Sequence, residues 1–444
     1  MMAEAAIGGT RGKYIRLQVV LFLFSAAVFL IAPVINVTDS RYSALLSECM
    51  LHHHSVYLDE DYKVPVPWRT GETTSPGDAN EYQLQKVSGH VTYFFPHASS
   101  MLSMPIVAVM NAAGVSAATP DGRLNLAGEI KIERVIASVL MAGLTCIFFA
   151  MASMMLPLTW SLVIALGAAM GSQILSMASR GLWSHTWQLF LYGLIAYSLL
   201  DAEHRKAGIR AAWLATLVAW GYFVRPTGAA AIVTVSGYVW WVHRKDFIAY
   251  ASVLVGWLMV FVGYWWLVFN SVVPTYFQAT LIVKSNFVEG FVGDLIGPSR
   301  GLLVFVPTTL FVLYLLALYR KQLMHKSLAV LGLAQIFCVA IIIAKFYRAQ
   351  GYSYGPRYFA DAIPWFVLLA TLGLDAMRRA PVASQHRMEI AAAMLLLVVS
   401  VAINVRGAWS FAGLDWVLAK ECSYDLFDWR YPQFMAGLIE PPKN

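Results

Sequence analysis

Apolar runs of about 17 to 25 residues recur along most of this chain, each long enough to cross a hydrocarbon core roughly 30 Å thick. No other feature constrains the fold as strongly. A helix that is hydrophobic on every side can rest only inside protein or in lipid, and so many of them exceed what one soluble core could cover. With 59% hydrophobic residues, 13% charged residues and a mean hydropathy of +0.62 over 444 residues, a soluble globular domain is excluded. The sequence predicts an all-α polytopic membrane protein forming a single transmembrane domain over residues 1–444.

Orientation follows from the charges. Arg11, Lys13 and Arg16 precede a first span from Leu17 to Ile35, and the spacing reads as an anchor that stays in place, since the apolar stretch is long for a signal peptide and lacks a small-x-small cleavage site. Further spans are expected at Ile136 to Met155, Leu158 to Met177, a stretch ending at Leu200, Ala211 to Val224, Thr227 to Val242, Phe247 to Phe269, Gly301 to Leu318, Leu328 to Ala344, a stretch ending at Leu374, and Glu389 to Ala408. That makes about eleven, with the N-terminus in the cytoplasm of a cell whose inner membrane holds the protein. Each short basic turn (Arg205, Lys206 and Arg210; Arg244 and Lys245; Arg320 and Lys321; Arg378 and Arg379) then falls on the cytoplasmic side. The net charge of +7 is read as topology rather than as a nucleic-acid-binding surface.

Four outer segments remain: a long first loop at 37–130, a second at 270–300, a third at 345–361, and a tail at 409–444. Within the first, Ser40 to Leu51 and Met101 to Ala113 have the spacing of helices lying along a membrane surface. The four cysteines show no metal or redox spacing; Cys49 and Cys422 both fall outside, where a disulfide between them is chemically permitted. His52 to His54 followed by Asp59 to Asp61 reads as a solvated surface rather than a metal site. The aromatic tail, with Trp416, Phe427, Trp429 and Tyr431, either covers the site or binds acceptor.

Sorting charges by side puts Asp39, Arg180, His185, Arg225, Arg300, Lys345, Arg357 and Asp361 on the outer face. Cations gathered where the inside-positive bias disfavours them suit a polyanion at the surface, such as a lipid phosphate. Interface anchoring competes for each one singly. Asp39 just beyond the first span is either a carboxylate for chemistry or the N-cap of the helix expected at Ser40. Midspan charges are scarce, which argues for surface chemistry over transport.

The landmarks Thr38-Asp39-Ser40-Arg41-Tyr42, Tyr93-Phe94-Phe95-Pro96, Met104-Pro105, Gly297-Pro298-Ser299-Arg300-Gly301 and Tyr354-Gly355-Pro356-Arg357-Tyr358 follow an order that resembles the GT-C superfamily of glycosyltransferases. The likeness is to members related to protein O-mannosyltransferases and the lipid A aminoarabinose transferase (glycosyltransferase family 39). The resemblance implies transfer of a sugar, with inversion, from a polyprenyl-phosphate donor to a lipid, glycan or protein acceptor on the periplasmic face. It further implies Asp39 as the catalytic base or as the acid that positions the acceptor or a metal, with a divalent cation there as an option. Arg357, Arg300, Lys345 and Arg225 are expected to hold the donor phosphate, and Arg41, Tyr354, Tyr358, His185 and Trp183 to line the substrate site. A polyprenyl-linked sugar carrier or flippase, and an oligosaccharide polymerase or ligase, are the competing functions.

Overall fold

The computed structural model describes residues 2–65, 81–278, 286–345, 353–381, 385–419 and 425–441. Among these residues the chain is mostly helical. Six helical stretches are long and apolar enough to cross a membrane: Tyr14–Ile31, Leu126–Ser153, Arg244–Phe269, Lys326–Ile343, Arg357–Arg379 and His386–Trp409. Exposed faces on these helices carry Leu267, Ile248, Leu395 and Leu23, an apolar surface suited to lipid rather than water.

In chain order, α1 (Met2–Ile31) is followed by α2 (Ser43–His52), a hairpin of β1 (Leu84–Val87) and β2 (His90–Tyr93), and α3 (Ala98–Ala112). The bundle then runs through α4 (Leu126–Ser153), α5 (Leu158–Met170), α6 (Ser184–Arg205), α7 (Ala211–Val224), α8 (Ala229–Val242) and α9 (Phe247–Phe269). After a short α10 (Phe287–Ile296) come α11 (Leu302–Phe305), α12 (Thr308–Leu318), α13 (Lys326–Ile343), α14 (Ile363–Arg379), α15 (Gln385–Trp409) and α16 (Ala412–Ala419). Helix α14 lies at the centre, packed by α4, α5, α6, α12 and α13, with Trp365 fully buried.

Length and composition do not reach the expected eleven spans. Helices α5, α7, α8 and α12 have 11 to 14 residues, at most about 21 Å of rise. Two expected spans are interrupted. The run from Leu158 stops at Met170 and resumes as a π-turn over Ile174–Ala178, and the run from Gly301 breaks at Pro307, whose missing N–H and ring cannot continue α11 into α12. Helix α4 starts ten residues before the expected Ile136, taking Glu129 and Glu133 into buried helix.

The first long loop also differs from expectation. It holds a two-stranded hairpin, paired from Leu84↔Tyr93 to Val87↔His90, and its α2 is no surface helix, because Ser43 to Cys49 are all buried against α3 and α4. His97 ties this region to the bundle: its Nδ1 meets the Tyr264 hydroxyl at 2.6 Å and its Nε2 the Tyr93 carbonyl at 2.9 Å. A carbonyl only accepts, so Nε2 carries the proton and Nδ1 accepts from the phenol, which makes a neutral imidazole. Burial pushes His97 down from 6.5 to about 4. The unfolded chain therefore takes up a proton first, and stability that is complete above pH 6.5 drains as pH falls toward 4. Up to about 3 kcal/mol is at stake from this residue. Thermal melts in detergent across that range are expected to show the loss, and a His97→Gln variant to flatten it.

Candidate functional site

A cavity of about 120 Å³ opens where the first loop meets the ends of α6, α7 and α14. Asp39, Trp183, His185, Arg225, Arg357 and Tyr358 all line it, together with Ser40, Tyr93, Phe95, Ser184 and Tyr276. Six separate chain segments converge on one polar hole.

The Asp39 segment is positioned by the end of α1. After Ile31 the helix's terminal carbonyls are taken by two arginines: Arg180 donates to the carbonyls of Phe29, Ala32 and Val34, and Arg134 to those of Leu30 and Ala32. Arg180 is thus buried structure rather than an outer-face cation for a ligand. Beyond it the chain runs extended, with Asn36 N bonded to the Arg180 carbonyl at 2.9 Å. Helix α2 begins only at Ser43, and its first amides, Ala44 N and Leu45 N, donate to the Glu129 carboxylate at 2.8 and 3.0 Å. The N-cap of α2 is therefore supplied by α4 from across the fold, and Asp39 does not serve as one. Glu133, one turn further along α4, accepts from Ser40 Oγ at 2.7 Å and Leu182 N at 2.8 Å. It joins the segment carrying Asp39 to the segment carrying Trp183.

Asp39 is left facing the cavity. Its Oδ2 accepts from Arg357 Nη1 at 3.0 Å and its Oδ1 from the Tyr82 hydroxyl at 3.0 Å, while Tyr93 donates to its backbone carbonyl. Burial, then the neighbouring Asp39 carboxylate, pushes the Tyr82 phenol well above its usual range, so it stays a donor. The Arg357 guanidinium lies 4.4 Å from the Trp183 ring centre and 4.9 Å from that of Tyr358, and its Nη2 donates to the Tyr358 hydroxyl at 3.0 Å. Trp183 is fixed in turn by an Nε1 bond to the Asn36 carbonyl at 2.9 Å.

A second ion pair stands behind the first. Asp361, fully buried in the turn Arg357–Ala362, accepts through Oδ2 from Arg225 Nε at 3.1 Å and Thr227 Oγ1 at 2.8 Å, and its Oδ1 faces His185 Nδ1 at 3.0 Å. Arg225 also donates to Ser184 Oγ at 3.1 Å and lies 5.3 Å from the Tyr358 ring centre. Its extended backbone, at φ −158°, and the following Pro226 turn the chain between α7 and α8 and aim the side chain inward.

Other expected site residues lie elsewhere. Arg300 is fully buried, its Nη1 donates to the carbonyls of Ser353 and Gly355, and it is not part of the cavity lining. Lys345 is exposed and outside the lining. Arg41 pairs with Glu81 at 2.8 Å, and Tyr354 packs on Gly407 and Gly413 with its hydroxyl on the Ile403 carbonyl. Cys422 falls outside the described residues. In the His52 to His54 stretch, His53 pairs with Asp61 at 3.0 Å and His52 meets Asn111.

Among the described residues none of the tail lines the cavity, and Gln433 braces the turn before Arg357. Gln433 accepts from Gly355 N at 2.9 Å and donates to the carbonyls of Ser353 and Gly413 at 3.0 and 2.8 Å. Gly355 sits at φ +66°, and a Cβ there would meet the Phe305 ring at 2.9 Å. Gly355→Ala is expected to destabilise the protein by about 1–3 kcal/mol, read as a lower melting temperature, and to weaken any anion that binds through Arg357.

Sequence reasoning missed Tyr82, Tyr276, Glu129, Glu133 and Thr227. Two acids at i and i+4 inside an apolar helix were the available signal for the glutamates. Tyr82 and Thr227 carried none, because only the tertiary approach makes them partners. No family model, curated protein or solved structure matches this chain.

Proposed function

We propose that this protein is a membrane glycosyltransferase that moves a sugar from a polyprenyl-phosphate donor to a hydroxyl on a lipid, glycan or protein acceptor, at the periplasmic face of the inner membrane. The observation that carries the reading is the Asp39–Arg357 ion pair in a polar cavity walled by Trp183 and Tyr358. A carboxylate and a guanidinium side by side are what such a displacement requires: one takes the acceptor's proton, the other holds the departing phosphate. The new C–O bond forms from the acceptor oxygen to the anomeric carbon, with inversion, as the bond from that carbon to the phosphate oxygen breaks. The electron pair leaves on the polyprenyl phosphate, held by Arg357 and Arg225, and the acceptor proton goes to Asp39.

Aromatic faces suit sugar rings, and Trp183, Tyr276 and Tyr358 supply them. An apolar groove of about 110 Å³ between α5, α12, α14 and α15, reaching Ile363 just after the Arg357–Ala362 turn, has room for about one isoprene unit. Around Asp39 the neighbours are a guanidinium and a phenol rather than more carboxylates or imidazoles. Among the described residues no three His, Cys, Asp or Glu side chains gather to hold an ion. In this reading α1 enters from the cytoplasm and the shorter helices complete the spans.

Purified protein in detergent, given a mixed pool of polyprenyl-phosphate sugars, is expected to release polyprenyl phosphate with transfer or hydrolysis of the sugar. Binding without any turnover across the pool would turn the assignment to a carrier for the same lipid.

A further inference from the structure

His185 lines the cavity and Asp361 does not, so the imidazole stands between the polar hole and the buried carboxylate behind it. Its protonation can be derived from its partners. Asp361 accepts from Arg225 and Thr227 and is therefore ionised, and an ionised carboxylate can only accept. The proton of the Nδ1···Oδ1 contact consequently sits on Nδ1. Arg225 already balances Asp361, and Arg357 balances Asp39, so a second proton on the ring would be an uncompensated buried cation. The ring is neutral, and Nε2 carries a lone pair.

That lone pair has no hydrogen-bond partner among the described residues, although the side chain is only 1% exposed. Leaving a buried acceptor unmet costs about 1–3 kcal/mol, a cost that a ligand bringing a hydroxyl donor removes. The Asp361 bond fixes the ring's orientation, and the Tyr358 ring, 5.8 Å away between centres, packs beside it. Only an acceptor is offered here. A phosphate diester oxygen has no proton to give and a monoester keeps its second proton only in a minority at neutral pH, whereas a sugar hydroxyl always has one.

We propose that His185 Nε2 is the group that reads a hydroxyl of the donor's sugar, with Asp361 as the positioning residue that holds the ring in the tautomer able to do so; this rests on the glycosyltransferase reading above. The site then divides its labour. Arg357 and Arg225 bind the phosphate whether or not a sugar is attached, and His185 discriminates the glycosylated lipid from the spent one, favouring loading over product retention.

The test is binding of polyprenyl phosphate and of its mannosyl, glucosyl, galactosyl and arabinosyl esters to the full-length protein in detergent, with thermal melts alongside. Two variants separate the ring's edges: the carboxamide of His185→Asn reaches the position of Nδ1 and keeps a donor to Asp361, while that of His185→Gln reaches the position of Nε2. Wild type is expected to bind its best glycosyl ester about tenfold tighter than the sugar-free lipid. His185→Asn should lose that margin with sugar-free binding unchanged, and His185→Gln should keep part of it through its carbonyl. The proposal is overturned if His185→Asn keeps the margin, if it loses affinity for the sugar-free lipid equally, or if wild type shows no margin. Failure of wild type to bind any polyprenyl phosphate overturns the glycosyltransferase reading itself.

Discussion

Asp39→Asn is expected to reduce sugar transfer by on the order of a hundredfold to ten-thousandfold while leaving donor binding intact or somewhat tighter. The amide keeps the shape of the carboxylate but has one oxygen: turned toward Arg357 it still accepts there, and its Nδ2 faces the Tyr82 hydroxyl, which can rotate to accept. What disappears is the negative charge and the ability to take a proton. In the empty protein Arg357 then lacks its counter-ion, and a group only 6% exposed feels that loss, so the variant should melt lower. A bound phosphate restores the balance. The donor therefore stabilises Asp39→Asn more than it stabilises wild type, a difference that melts with and without polyprenyl phosphate will read directly. Transfer within tenfold of wild type would remove Asp39 from the chemistry.

Arg357→Ala is expected to weaken donor binding by on the order of a hundredfold, about 3 kcal/mol, the usual cost of deleting one member of a buried charge pair. Part of that cost is structural, since Asp39 and Tyr358 both lose a donor. Arg357→Lys separates the parts. An ammonium restores the charge opposite Asp39 but cannot span Asp39 and Tyr358 while lying between the Trp183 and Tyr358 rings, so affinity should recover only in part. Arg300→Ala is the informative contrast. Its guanidinium holds the backbone of Ser353 and Gly355, so its removal should lower the melting temperature, with donor affinity falling only as far as the Arg357 turn is disturbed. Donor binding unaffected in Arg357→Ala would place the phosphate elsewhere.

The sequence read alone carries the apolar helical character of the chain and part of the grouping around the cavity. Phe247 to Phe269 appears with the expected bounds because an apolar run between Asp246 and Asn270 has one economical conformation in lipid, a helix with every backbone group satisfied. Asp39, Trp183, His185, Arg225 and Arg357, which hydropathy and loop charge assign in the sequence to span ends of one face, line one cavity in the folded chain.

Sorting by side cannot say what each charge touches. Arg180, Arg300 and Arg357 look alike in sequence, each at the edge of an apolar run. The fold spends the first on the carbonyls ending α1, the second on those of Ser353 and Gly355, and aims the third at Asp39. Likewise Asp39 precedes a helix and reads as its cap until Glu129 is seen to hold the amide of Ala44, 85 residues before it. Hydropathy is a one-dimensional property, legible from composition along the chain. The partner of a guanidinium or a carboxylate is fixed by which distant backbone arrives within about 3 Å, and that is decided only when the helices pack.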